Sequence, residues 1–272
     1  MNNLCLLNYM NDIFLYANLD DPFIQSLPAT QSILGLETKK ISHSHINFLI
    51  KIIELFQNKN DIIFIDVGAY IGAISLLLSN HLNKQNILCQ FYLFEPNPKN
   101  LECIELSILT NNIQNVTVSH KGISSNIGKT SFYTTHNSYV TGRIGHGDQE
   151  YEIEISTLDQ EFSFINKNLI IKIDTEGHEP KVLRGAINLL NHNNCILILE
   201  IHPFCLNINV TEQEDFFEFI SNRFNMIATE NIGYPKHTQI INSREQLIEQ
   251  CTRGGITDLI CIPKNLKHDY LR

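Results

Sequence analysis

Three short stretches of this sequence put glycines and acidic residues where an apolar strand gives way to a turn. FIDVGAYIG, residues 64–72, spaces Asp66, Gly68 and Gly72 as D-x-G-x-x-x-G. FEPNP, residues 94–98, ends a second apolar run on Glu95 and Pro96. IIKIDTEGHEPKVLRGA (170–186) and ILILEIH (196–202) bring Lys172, Asp174, Glu176, His178, Glu179, Glu200 and His202 to the ends of two more. A carboxylate closing a strand can accept hydrogen bonds from both hydroxyls of a ribose. A carboxylate or imidazole near it can take a proton from a reacting hydroxyl. Side chains two apart on a strand share a face, which pairs Glu200 with His202 and Lys172 with Asp174. The chemistry on offer is a held nucleoside and a removed proton.

Two rival nucleotide chemistries fail on spacing. GISSNIGKT, residues 122–130, ends like a phosphate-binding loop, but five residues instead of four separate Gly122 from Gly128. Such a loop must also open a helix, and the SFYTTH after it has strand character. It reads as a glycine turn entering a strand. A dinucleotide fingerprint would need glycine at 68, 70 and 73, where the chain has Gly68, Tyr70 and Ala73. An NAD- or nucleotide-sugar-dependent enzyme is therefore the weaker alternative. A strand, a glycine turn, a helix and an acid closing the next strand suit a nucleoside cofactor without a pyrophosphate, such as S-adenosylmethionine.

For these residues to meet, strands must alternate with helices. Residues 42–56 read as a helix, and 61–67 as a buried strand feeding a helix with Ile71, Ile74 and Leu78 on one face. Residues 87–95 form the next strand; Asn97 then caps a helix with Pro98 at its first position and Leu101, Ile104 and Ile108 on one stripe. Residues 115–120 make the third strand. The segments 129–135 and 151–157 alternate like exposed antiparallel strands around a loop over 136–149. A buried strand over 168–174 precedes a helix opening at Pro180 and packing through Val182, Ala186 and Leu189. The strand 195–201 follows, then a helix begun by a Thr211-x-x-Glu214 capping box and carrying Phe216, Phe219, Ile220 and Phe224, and a late strand over 257–263. The expectation is an α/β fold with an open, doubly wound, mostly parallel sheet over 59–272, preceded by an N-terminal helical extension over 1–58.

Composition limits the partners. The chain has 272 residues, is 43% apolar and carries a formal charge of −9 without a basic stripe, which argues against nucleic acid. Its seven cysteines show no C-x-x-C spacing, so neither a metal nor a disulfide framework is expected. No apolar run approaches a membrane span, and the first residues lack the basic start of a signal peptide. A cytoplasmic protein without membrane insertion is expected.

In order along the chain, D-V-G-A-x-x-G at 66–72, F-E-P-N-P at 94–98, K-I-D-x-E-G-x-E-x-x-V-L-x-G-A at 172–186 and E-I-H at 200–202 resemble the FkbM-type methyltransferases. The resemblance covers residues 60–205 and departs from the family at Tyr70, where Asn or His is common. It implies a Rossmann-like class I methyltransferase fold and transfer of a methyl group from S-adenosylmethionine to a hydroxyl of a sugar, glycan or natural product. Asp66, Gly68, Ala69, Tyr70 and Gly72 would hold the methionyl end, Glu95 with Pro96 the ribose, and residues 119–123, including Gly122 and Ile123, the adenine. A homologue that binds the cofactor without catalysis is the other reading of these motifs.

A sugar hydroxyl is a poor acid, so a base or a metal must help remove its proton. Asp174, Glu176, Glu200 and His202 are the candidates, with Glu176 and His202 preferred as base and Glu200 orienting the imidazole. A divalent ion on Glu176, Glu200 and His202 is the alternative, less favoured because the ligands are not densely clustered. Lys172 and Asp174 can also form a structural pair, Glu179 a helix-terminal charge, and His178 part of a loop. His136 and His146 are expected to be solvated or substrate-facing and not metal ligands, and the loop from His136 to Gly147, with Tyr139 and Arg143, is expected to help select the acceptor. His43 and His45 are expected on the surface.

Overall fold

A computed structural model describes residues 4–9, 13–21, 24, 41–56, 61–135, 138–144, 149–201, 210–229, 238–254 and 257–266. The chain opens with an antiparallel hairpin, β1 (Leu4–Tyr9) and β2 (Ile13–Asn18), followed by α1 (Ile41–Glu54). Then come β3 (Ile62–Val67), α2 (Ala73–Lys84), β4 (Cys89–Phe94), α3 (Pro98–Thr110) and β5 (Val116–Ser119). A second sheet is built from β6 (Gly122–Ile123), β7 (Gly128–Thr135), β8 (Ser138–Ile144) and β9 (Gln149–Ser156). After α4 (Leu158–Glu161) the main sheet resumes with β10 (Asn168–Ile173), α5 (Glu179–Arg184), α6 (Ile187–His192) and β11 (Asn194–Ile201). It closes with α7 (Val210–Arg223), β12 (Phe224–Thr229), β13 (Thr238–Ile241), α8 (Arg244–Gly254) and β14 (Thr257–Pro263).

The main sheet runs β13-β12-β14-β11-β10-β3-β4-β5. It is parallel from β5 to β11 and antiparallel beyond. Strands buried on both faces need continuous apolar runs, and β3 (IIFIDV) is buried at every position. Ile62 and Phe64 point into a core covered by α1, α2, α3 and the hairpin. Ile63, Ile65 and Val67 point into a core covered by α5, α6, α7 and α8. From β3 the chain steps outward to β5, then returns to β10 on the other side of β3. That reversal is a topological switch point, and ligands of open α/β sheets bind beyond the strand C-termini there.

Local chemistry sets the boundaries of the elements. Asn97 caps α3 as its spacing predicts, its side chain accepting from the Lys99 N–H, and Pro98 opens the helix. Gly128, Lys129 and Thr130 lie in β7, so the phosphate-loop resemblance has no helix behind it. Lys129 pairs with Glu152 on the exposed face of the second sheet, 2.6 Å away.

Several expectations are corrected. The 136–149 segment read as a loop holds β8, antiparallel to β7. Phe224 does not extend α7 but opens β12; no glycine or proline marks that boundary in the sequence. The helix beginning near Pro180 divides at Gly185, where a Cβ would lie 2.1 Å from the Ser124 carbonyl oxygen. The N-terminal segment contains the hairpin as well as a helix, and its residues share one core with β3 and β4. The side chains of Thr211 and Glu214, and so the capping box, lie outside the described residues.

Candidate active site

At the C-terminal ends of β3, β4 and β10 the two sheets flank an open cleft. Of the expected site residues, Gly68, Tyr70, Glu95, Pro96, Gly122, Ile123, Asp174 and Glu176 line it. Asn100, Lys121, Thr175 and His178 complete its polar wall, and Phe132, Ile144 and Ile153 of the second sheet supply an apolar one. Asp66, Ala69, Gly72 and Glu200 are not among the residues that line it. His202, His136 and His146 lie outside the described residues.

The glycine turn is built by close approach of backbone to backbone. Gly68 has φ +83°, and a Cβ there would sit 1.9 Å from the carbonyl oxygen of Asp174. Only glycine lets the β3 and β10 loops touch this way. The N–H groups of Gly68 and Ala69 both reach the Phe94 carbonyl, at 2.9 and 3.2 Å, fastening the turn to the end of β4. Gly72 takes φ +74° as N-cap of α2, which has no side-chain cap. Its left-handed backbone favours glycine, and a Cβ there would also crowd the Ile104 and Leu76 side chains at 3.3 Å.

Glu95 is buried, and backbone and side-chain donors hold both its oxygens. Oε1 accepts from Asn97 N–H at 2.9 Å and from Asn100 Nδ2 at 3.3 Å, and Oε2 accepts from Tyr70 N–H at 2.9 Å. Burial pushes its carboxyl up to about 7; the three donors oppose the rise and Asp66 adds to it. Tyr70 is left-handed at φ 54°, and its hydroxyl donates to Asp21 Oδ2 at 2.7 Å.

Under the cleft lies a charge cluster that follows from strand parity. Asp66 and Lys172 are register partners on β3 and β10, with Nζ 3.5 Å from Asp66 Oδ1. Lys172 Nζ also reaches Asp174 Oδ2 at 3.1 Å. Asp66 Oδ2 accepts from Ser75 Oγ of α2 at 2.5 Å, so this carboxylate pins helix to sheet instead of facing the cleft. Burial drives the Lys172 ammonium toward losing its proton, but Asp174, Asp66 and Glu200 outweigh it and hold the charge. Asp174 is raised well above the usual carboxylate range, by burial first and then by the charge of Glu200 and a hydrogen bond with it, against the pull of Lys172.

The loop between β10 and α5 is shaped by Glu179. Buried at the first turn of α5, its Oε1 accepts from Thr175 N–H at 2.9 Å, Thr175 Oγ1 at 3.0 Å and Gly177 N–H at 3.2 Å. Glu176 and Gly177 are both left-handed, at φ 54° and 102°, and this bend presents Glu176 to the cleft. His178 Nε2 lies 2.9 Å from Ser124 Oγ. Burial, then Lys181, lowers His178 to about 4, so a neutral imidazole walls the cleft. Sequence reasoning placed His178 in a loop and did not single out Asn100, Lys121 or Asp21. Asn100, a buried polar residue in the first turn of an otherwise apolar helix stripe, carried a readable signal.

Among the described residues no group of three His, Cys, Asp or Glu side chains could hold a metal ion, and no helix is long and apolar enough to cross a membrane. No curated protein matches the chain. It is similar in fold to methyltransferase FkbM from Methylobacillus flagellatus (15% identity, 76% of this chain and 45% of that one, TM-score 0.48). It is also similar to an rRNA methylase from Streptococcus thermophilus (12%, 84% and 98%, 0.43) and a TehB-like SAM-dependent methyltransferase from Corynebacterium glutamicum (8%, 89% and 96%, 0.44). The chain thus spans less than half of the FkbM structure's length. Residues 66–234, well over half of the sequence, match the model of the methyltransferase FkbM domain, and the chain belongs to that family of S-adenosylmethionine-dependent methyltransferases.

Proposed function

We propose that this protein transfers the methyl group of S-adenosylmethionine to a hydroxyl oxygen of a small-molecule or glycan acceptor. The observation that carries this reading is that Glu95 and Asp174, a carboxylate suited to a ribose and a carboxyl suited to a proton, open into one cleft. The cofactor fits the donor set. Glu95 Oε2 accepts a single hydrogen bond among those described, leaving a lone pair for a ribose hydroxyl. The first N–H groups of α2 have no side-chain cap to compete with a methionyl carboxylate. Bound there, S-adenosylmethionine supplies an activated methyl on a sulfonium that is a good leaving group.

The protein's own share is alignment and proton removal. Asp174 takes the proton: its raised carboxyl is a stronger base than an ordinary aspartate, and the negative charge of Glu200 behind it favours the protonated form. Glu176 orients the acceptor from the bent loop. Lys172 occupies the cation position among the carboxylates, so the step runs without a divalent ion. The apolar wall of Phe132, Ile144 and Ile153 faces the acceptor and selects it, in keeping with the substrate choice usually set by segments carried on a rigid sheet. Glu150, Glu152 and Glu154 on β9 repel a nucleic-acid backbone, which points to a small or glycan acceptor. The six described cysteines are free thiols, which suits the reducing cytoplasm.

The test is transfer of labelled methyl from S-adenosylmethionine into glycan and small-molecule fractions by the wild type and by Asp174→Asn. Label should appear in one acceptor class and be lost in the variant. Label in no fraction, or full transfer by Asp174→Asn, would refute the assignment.

A further inference from the structure

We infer that Asp21 is a positioning residue of the cofactor site, holding the Tyr70 hydroxyl and, through Tyr70, fixing the Glu95 carboxylate and the turn after β3. The inference rests on the cofactor reading above and extends the site into a segment outside the family match, which begins at residue 66.

Tyr70 stands at the first variable position of the D-V-G-A-x-x-G turn and lines the cleft. A bulky aromatic residue at φ 54° is conformationally costly and persists only where its surroundings over-determine it. Two anchors do so here. The backbone N–H is bound by Glu95 Oε2 at 2.9 Å, and the phenol by Asp21 Oδ2 at 2.7 Å. The same oxygen of Glu95 that would meet the ribose thus depends on where Tyr70 is held.

Asp21 is itself delivered with care. It is 1% exposed, a costly place for a carboxylate unless a donor meets it. A turn at the end of β2 brings it there, with Asp20 N–H donating to Asn18 Oδ1 at 2.9 Å and Asp21 N–H to Asn18 O at 3.1 Å. The edge of β2 is tied to α3 by side chains in place of a further strand. Tyr16 N–H donates to Ser107 Oγ at 2.8 Å, and Asn111 both accepts from Phe14 N–H and donates to Phe14 O. The hairpin, α3 and the cofactor turn are therefore linked in one chain of hydrogen bonds ending at Glu95.

The experiment measures S-adenosylhomocysteine affinity by calorimetry, with thermal unfolding alongside, for the full chain and for Asp21→Ala, Asp21→Asn, Tyr70→Phe and Asp21→Ala/Tyr70→Phe. Loss of a hydrogen bond to a charged group predicts an affinity about tenfold weaker in Asp21→Ala and in Tyr70→Phe. The double variant should be no weaker than the worse single one, because both remove the same link. Asp21→Asn, whose amide oxygen still accepts, should bind within about twofold of wild type. A role confined to stability would lower the unfolding temperature and leave affinity and rescue unchanged. Tyr70→Phe removes one oxygen and decides the matter if Asp21→Ala does not fold. Wild-type affinity in Tyr70→Phe, or no rescue by Asp21→Asn, overturns the positioning role alone. No binding by the wild type overturns the cofactor reading together with it.

Discussion

Lys172 and Asp66 stand side by side on adjacent parallel strands, Nζ 3.5 Å from Oδ1, with 8% and 2% of their side chains exposed. With Asp174 at 3.1 Å and the charge of Glu200 also acting on it, the lysine is the shared counter-ion of carboxylates from three neighbouring strand ends. It ties the ends of β3 and β10 together beneath the cleft. Its presence would oppose a divalent ion at the same place.

Removing that charge should be expensive. Lys172→Met keeps the side chain's bulk but leaves Asp66 buried and uncompensated, and loss of one partner of a buried pair costs about 3–5 kcal/mol. Denaturant unfolding measures it. A change below about 1 kcal/mol would mean water reaches the cluster.

The pH profile should report Asp174. A base acts when deprotonated, and Asp174 is held above the ordinary carboxylate range, so methyl transfer should rise with pH through that raised value. Glu200→Gln removes the charge that helps raise it, and the rising limb should shift to lower pH. An unmoved limb would place the titrating group elsewhere.

Gly68→Ala should be among the most damaging single-methyl additions in the protein. The new Cβ meets the Asp174 carbonyl at 1.9 Å on a left-handed backbone, so the 174–176 loop must move. Stability should fall by more than about 1 kcal/mol, and methyl transfer by more than about tenfold, because the candidate base moves with the loop. Lys129→Ala, on the exposed face of β7, should change neither stability nor cofactor affinity.

Cofactor affinity should itself depend on pH through Glu95, whose carboxyl sits at about 7 in the free protein. The ionised form accepts hydrogen bonds from ribose hydroxyls, so affinity should fall as pH drops below that value. Glu95→Gln should bind more weakly and lose the dependence. Titration calorimetry across pH 6 to 8, roughly one unit either side, would show it.

Much of this architecture was legible because strand and helix periods alternate plainly between residues 61 and 201, and β3, β10 and β11 are apolar runs that a sheet buried on both faces requires. The turn glycines and Glu95 were legible because their types are constrained locally. The hairpin was not: the other edge of β2 is held by side chains of a helix 91 to 97 residues away, which no local pattern announces. β8 was hidden by Gly142 and by the turn residues on either side of it.

Within the site, sequence gave residue types and the structure gave their depth. Asp66 looked like a ligand contact because it precedes the glycine turn, yet its parity on β3 sends it beneath the cleft to Ser75 and Lys172. His178 lies in the loop the sequence predicted, but nothing local reveals Ser124 beside it, 54 positions away. Such pairings are set by the crossing of the two sheets, which no local pattern encodes.

The most direct measurement is titration of the full chain with S-adenosylhomocysteine, wild type beside Glu95→Ala. A nucleoside cofactor held by Glu95 predicts binding at one site, weakened at least about tenfold by the substitution through loss of charge-assisted hydrogen bonds. Absence of binding by the wild type, or equal affinity in both proteins, would contradict the account.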